Sequence, residues 1–93
     1  AKAAVSNFTQ WLAVHFSKVG IRVNALAPGF FPTELTAPLF ADEAAAQRLA
    51  DRTAMGRNGA LEDLRGPLLF LASNASGYVT GQSIAVDGGF TAK

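Results

Sequence analysis

Cysteine is absent from this 93-residue chain, so disulfide staples, thiolate metal sites and a cysteine nucleophile are all excluded. That absence fits a reducing compartment, and a cytoplasmic protein is expected. Charge is sparse as well: 16% of residues are charged and the formal net charge is +1. The basic side chains are scattered rather than striped, so nucleic acid is not an expected partner. No apolar run approaches the ~20 residues that span a bilayer, and no secretory leader is visible. No membrane partner is expected either. Histidine occurs once, as His15, and nothing near it has metal-ligand or nucleophile–base spacing, so no metal site is expected. An initiator methionine and a capping residue are also missing before the helical pattern in which Ala1 lies. A truncated chain is the expectation.

What is present is apolar. The hydrophobic fraction of 49% is rich for so short a chain, because a small free-standing domain needs a large polar skin. Such a composition suits a piece of a larger body, or a chain that buries surface against a partner. From Ala1 to about Lys18, the residues Val5, Phe8, Leu12, His15, Phe16 and Val19 fall on one helical stripe, with Ala4 and Trp11 at its edge. Ser6, Thr9, Gln10 and Ser17 lie opposite, interrupted by Ala3, Ala13 and Val14, which offer a second packing surface. Gly20 ends that helix, since glycine accepts positive φ.

Ile21–Ala27 is β-branched and apolar enough for an inner strand. Asn24, if buried there, must find partners for its amide. From Gly29 to Phe40 prolines and their neighbours break regular structure, while Phe30, Phe31, Leu35, Leu39 and Phe40 must be exposed or cover something. An alanine-rich helix follows, capped by Asp42 and running to about Arg52. After a loop at 55–59, a helix spans about Leu61 to Ser73 with Leu61, Leu64, Leu68, Leu71 and Ala72 facing inward. Pro67 should bend or delay it. A last strand covers Gln82–Val86 and stops at a Gly-Gly turn. The order is strand, helices, strand, the layout of a crossover in a parallel α/β sheet. In open sheets of that kind ligands bind where strands end, which singles out the Pro28–Gly29 corner.

Ala1-Lys2-Ala3-Ala4-Val5 opening a helix, Arg22-Val23-Asn24-Ala25-Leu26-Ala27-Pro28-Gly29, Thr33 beyond it, and Tyr78-Val79-Thr80-Gly81 before Val86-Asp87-Gly88-Gly89 together resemble the C-terminal part of the short-chain dehydrogenase/reductase family. Within it, Phe8–Phe16 followed by Pro28-Gly29-Phe30-Phe31 looks most like members acting on sugar acids, the D-mannonate (fructuronate) oxidoreductase type. The resemblance implies that residues 1–93 are a C-terminal fragment of a single NAD(P)-binding Rossmann-type, doubly wound domain. It implies hydride transfer between NAD or NADP and a secondary alcohol or ketone, and a homodimer or homotetramer of the full-length protein. The glycine-rich loop and the catalytic tyrosine of the family are not in this sequence, so the piece alone is expected to be inactive.

The resemblance also assigns roles. Lys2 would be catalytic and cofactor-binding: its ammonium would bond the nicotinamide ribose and stabilise a tyrosinate that falls just upstream of Ala1. Pro28 and Gly29 would form the floor under the nicotinamide. The Phe31 backbone would meet the carboxamide, and the Thr33 hydroxyl the carboxamide or phosphate. A smaller aliphatic is usual at Phe31, so its ring must be placed elsewhere, and Pro32 stiffens the approach to Thr33. Residues 34–55 would be the substrate lid, closing to exclude water. One of Arg48, Arg52 and Arg57 could pair with a sugar-acid carboxylate. By themselves, Pro28–Gly29 reads as a turn, Lys2 as a solvated side chain, and His15 and Trp11 as packing or interface residues. Asp87-Gly88-Gly89 reads as a turn rather than a phosphate loop. A non-catalytic oligomerisation module of the same fold is the alternative function.

Overall fold

The computed structural model describes residues 2–93, with side chains from Ala3 onward. Its elements are α1 (Lys2–Phe16), β1 (Ala25–Pro28), α2 (Ala37–Ala41), α3 (Glu43–Asp51), α4 (Glu62–Ala72) and β2 (Ser83–Val86), with short 3₁₀ turns after α1, after α4 and at the C-terminus. The strands form a two-stranded sheet. Ala25 N donates to Gln82 O and Gly29 N to Val86 O. Both partners advance together along the chain, so the pairing is parallel. The chain divides into two compact units, Ala1–Ala27 with Gly66–Ile84 and Pro28–Arg65 with Ala85–Lys93.

In the first unit α1 buries a face that overlaps the expected stripe only at Leu12 and Phe16, which are half-buried. Thr9 and Ala13, from the other side, are buried at 6% and 2% exposure, whereas Val5 and Phe8 of the stripe and Trp11 at its edge are more than half exposed. Thr9 satisfies its hydroxyl on Val5 O at 2.8 Å, one turn back. Ser6 and Ser83 share a hydrogen bond, and a Cβ built on Gly81 would touch Ala13. Small side chains on that face let the helix backbone approach the start of β2, where a Phe or Trp would not fit. The aromatic stripe faces outward instead, with Trp11 stacked on both Phe8 and His15. Gly20 ends the following 3₁₀ turn at φ 82°, as its position requires.

The first strand is shorter than expected, because side chains replace its first rungs. Asn24 donates to Val79 O and accepts from Gln82 N, each at 3.0 Å. Val23 N goes to the Thr80 hydroxyl and Val23 O takes Gly81 N. Regular pairing therefore starts only at Ala25. The expected α4 continues through Pro67, although the proline has no N–H to give Asp63 O, and its ends shift inward. Its entry is tightened, since Asp63 N and Leu64 N bond carbonyls three residues back. Its inward stripe is only partly realised: Leu64 and Leu71 are half-buried, but Leu61 and Leu68 are exposed.

Candidate cofactor and substrate site

The second unit begins at the carboxyl end of β1. Gly29 sits so close to Asp87 that an added Cβ would lie 2.8 Å from its Cα. The tight approach at this glycine is thus to backbone at the end of β2. Asp87 is itself fixed: its carboxylate accepts from Gly89 N and from the amide and hydroxyl of Thr91. This is the turn expected for Asp87-Gly88-Gly89. Gly59 N donates to Phe30 O at 2.8 Å, and the buried Phe31 ring lies over Gly59, where a Cβ would collide with it. That answers where the large ring goes.

Beyond Phe31 the chain is held by threonines. Thr36 N donates to Thr33 Oγ1, and Thr33 N donates to Thr36 Oγ1 at 2.8 Å. Thr36 Oγ1 also donates to Phe31 O at 2.9 Å. Helix α2 starts after Thr36 with Pro38 in its first turn, where a missing N–H does no harm. Asp42 caps α3 as expected, accepting from Ala44 N and Ala45 N. The far end of α3 is anchored by Thr53, whose hydroxyl bonds Ala50 O and accepts from Gly56 N and Arg57 N. Lys93 Nζ adds a bond to Asp51 O at 2.9 Å.

Pro28, Gly29, Phe31 and Thr33 therefore lie on one continuous loop at a strand end. A cleft of about 300 Å³ lies in the same unit, lined by Phe30, Phe31, Thr53, Met55, Arg57 and Asp63 among others. Phe31 reaches this cleft, whereas Pro28, Gly29 and Thr33 do not line it. The Lys2 side chain lies outside the described residues. Thr36 escaped sequence reasoning and Asp87 was read only as part of a turn, since nothing in their immediate neighbours marks them as partners of Phe31, Thr33 and Gly29.

The arginines separate clearly. Arg57 forms a bidentate pair with Asp63, at 2.9 and 3.2 Å. The hydrogen bond from Arg57, then that from Ala60 N, lowers the Asp63 carboxyl from its ordinary 3.8 to about 2. Arg52 lies over the rings of Phe30 and Phe90, 5.5 and 5.2 Å from their centroids. Arg48 is exposed on α3. Among the described residues no group of His, Cys, Asp or Glu could hold a metal ion, and no helix is long and apolar enough to cross a membrane.

A family model described as Enoyl-(Acyl carrier protein) reductase matches residues 1–91. The chain belongs to the short-chain dehydrogenase/reductase family. Among family relatives, an uncharacterized oxidoreductase of Haemophilus influenzae is 52% identical over 99% of this chain and 34% of its own length. A 2-dehydro-3-deoxy-D-gluconate 5-dehydrogenase of Dickeya dadantii is 47% identical over all of this chain and 37% of its own length. Among solved members, a gluconate 5-dehydrogenase from Burkholderia cenocepacia in complex with NADP and tartrate is 43% identical, with a TM-score of 0.91 over 99% of this chain and 36% of that one. A candidate D-mannonate oxidoreductase from Haemophilus influenzae with bound NAD is 52% identical, with a TM-score of 0.83 over 98% and 35%. The chain thus spans about a third of the length of these members. Its parallel α/β sheet is of the Rossmann type that they share.

Proposed function

We propose that these residues form the C-terminal portion of a single NAD(P)-binding domain, in a dehydrogenase acting on a sugar acid of the gluconate or mannonate kind. The observation that carries the reading is the Pro28–Thr33 loop, which leaves the carboxyl end of a parallel strand. A nicotinamide carboxamide needs one acceptor and one donor. The Phe31 carbonyl and the Thr33 hydroxyl supply that set within one loop, so the residues present fit the group. When bound, the nicotinamide supplies the hydride chemistry. Pro28 and Gly29 provide the floor, Phe31 and Thr33 orient the carboxamide, and Lys2 holds the ribose and lowers the pKa of a neighbouring phenol. Helices α2 and α3 exclude water from the site. Arg48, unlike Arg52 and Arg57, has its guanidinium available for a substrate carboxylate.

The protein encoded by the complete reading frame around these residues should reduce NAD or NADP with D-gluconate or D-mannonate. Residues 1–93 alone should turn over neither. Arg48→Gln should raise the KM for the acid about tenfold, as expected for losing one charge-assisted contact, with the nucleotide KM unchanged. Failure of the complete protein to bind either nucleotide would end the reading; oxidation of neutral alcohols only would end its sugar-acid part.

A second reading, self-association through α1, is favoured by the exposed stack of Phe8, Trp11 and His15. A patch of that kind marks an interaction surface. Light scattering should find a dimer or tetramer that Trp11→Glu converts to a monomer. A monomeric wild type would dismiss it.

A further inference from the structure

The hydroxyl of Thr36 is placed where no helix cap would place it. Thr36 is the N-cap residue of α2, yet its side chain makes no capping hydrogen bond. A threonine at this position ordinarily spends its oxygen on the first free amides of the helix. Here the oxygen turns back along the chain. It donates to Phe31 O at 2.9 Å and accepts from Thr33 N at 2.8 Å, and it lies 3.1 Å from Thr33 Oγ1. The Thr36 amide closes the circuit onto Thr33 Oγ1 at 3.3 Å. One side chain therefore touches both groups that the proposed function assigns to the carboxamide.

The consequence follows from counting donors and lone pairs. Thr33 Oγ1 has one proton and two lone pairs, and Thr36 N occupies one of the pairs. With the Thr36 proton committed to Phe31 O, the Thr33 proton rests on Thr36 Oγ1 and can swing to an incoming acceptor. The Phe31 carbonyl keeps a second lone pair for an amide donor. Both groups are thereby held in one orientation before a ligand arrives, so less ordering remains to be done on binding.

We infer that Thr36 is a positioning residue for the nicotinamide carboxamide, acting through Thr33 and Phe31. This rests on the reading of residues 28–33 as the cofactor floor. Thr36→Val keeps the shape and removes the hydroxyl, whereas Thr36→Ser keeps the hydroxyl. In the complete protein, NADH and NADPH titrated by their own fluorescence should bind about tenfold more weakly to Thr36→Val, the scale of one or two lost hydrogen bonds. Thr36→Ser should stay within about twofold of wild type, and kcat should change less than the nucleotide KM. In the Thr33→Val background, adding Thr36→Val should weaken binding by clearly less than that tenfold.

Equal affinity of wild type and Thr36→Val would overturn the inference. So would a Thr36→Ser variant as weak as Thr36→Val, or losses at 33 and 36 that simply multiply. If the wild type binds neither nucleotide, the cofactor-floor reading falls and takes the inference with it. If the wild type binds and Thr33→Val weakens it while Thr36→Val does not, the inference alone falls.

Discussion

Arg22→Ala should lower the unfolding free energy of the protein by about 2–3 kcal/mol, the range for hydrogen bonds to a charged group whose partners stay partly buried. The guanidinium is a fork between distant pieces of the first unit. Its Nη1 donates to Ser76 Oγ at 2.8 Å and to Val79 O at 3.2 Å. Its Nη2 donates to Leu71 O and Ser73 O, both at 3.2 Å. Leu71 belongs to the last turn of α4, where carbonyls have no partner inside the helix and where a cation is favoured by the helix dipole. Ser76 is fully buried. Lysine carries the charge but gathers its three donors on one nitrogen and cannot span the two acceptor pairs that Nη1 and Nη2 serve separately, so Arg22→Lys should recover less than half of the loss. Urea unfolding of the complete protein measures both. A loss under about 1 kcal/mol, or full recovery by lysine, would show that the fork contributes little.

Gly29→Ala should be comparably harmful, for a steric reason. The added Cβ would come within 2.8 Å of both Cα and Cβ of Asp87. Asp87 cannot easily retreat, because its carboxylate holds Gly89 and Thr91 and its carbonyl accepts Phe90 N. Moving Gly29 instead would break its bond to Val86 O, the last rung of the sheet. Overpacking of this kind costs about 1–3 kcal/mol, and Gly29→Val should cost more than Gly29→Ala. Gly66→Ala is the control, since no atom outside its own helix lies within 4 Å of the new Cβ. There a gain in helix propensity is offset by crowding before Pro67, leaving a change within about 1 kcal/mol. If Gly29→Ala behaves like Gly66→Ala, the close packing of Gly29 on Asp87 is not what requires glycine.

The two substitutions mark the boundary of what residue patterns disclose. Asp42 as the cap of α3 and Gly20 as a left-handed stop were legible because each acts on its immediate neighbours. The two strands were legible from β-branched runs closed by Pro-Gly and Gly-Gly, and the parallel pairing from the helices between them. Asn24 was legible as a polar side chain in need of partners, though not which partners. The Pro28–Thr33 loop was legible as a site only through its likeness to a family. Arg22 was not singled out for packing at all, since its acceptors, the Ser76 hydroxyl and three backbone carbonyls, lie about fifty residues away and no local pattern marks them as its partners. Thr36 was equally silent, because a threonine before a helix ordinarily reads as a cap.

Helix α1 shows most plainly how the two kinds of information divide. Residue order alone was enough to say that a helix forms and that large apolar groups share one side of it, because both follow from a 3.6-residue period. Which side is covered was settled elsewhere in the chain: Ser83 shares a hydrogen bond with Ser6 and Gly81 lies against Ala13, on the side of α1 that also buries Thr9. Periodicity describes a surface; the element lying against it decides whether that surface is buried. The same holds for the cation candidates. Composition placed three arginines near one another, and only the folded arrangement consigned Arg57 to Asp63 and Arg52 to two aromatic rings.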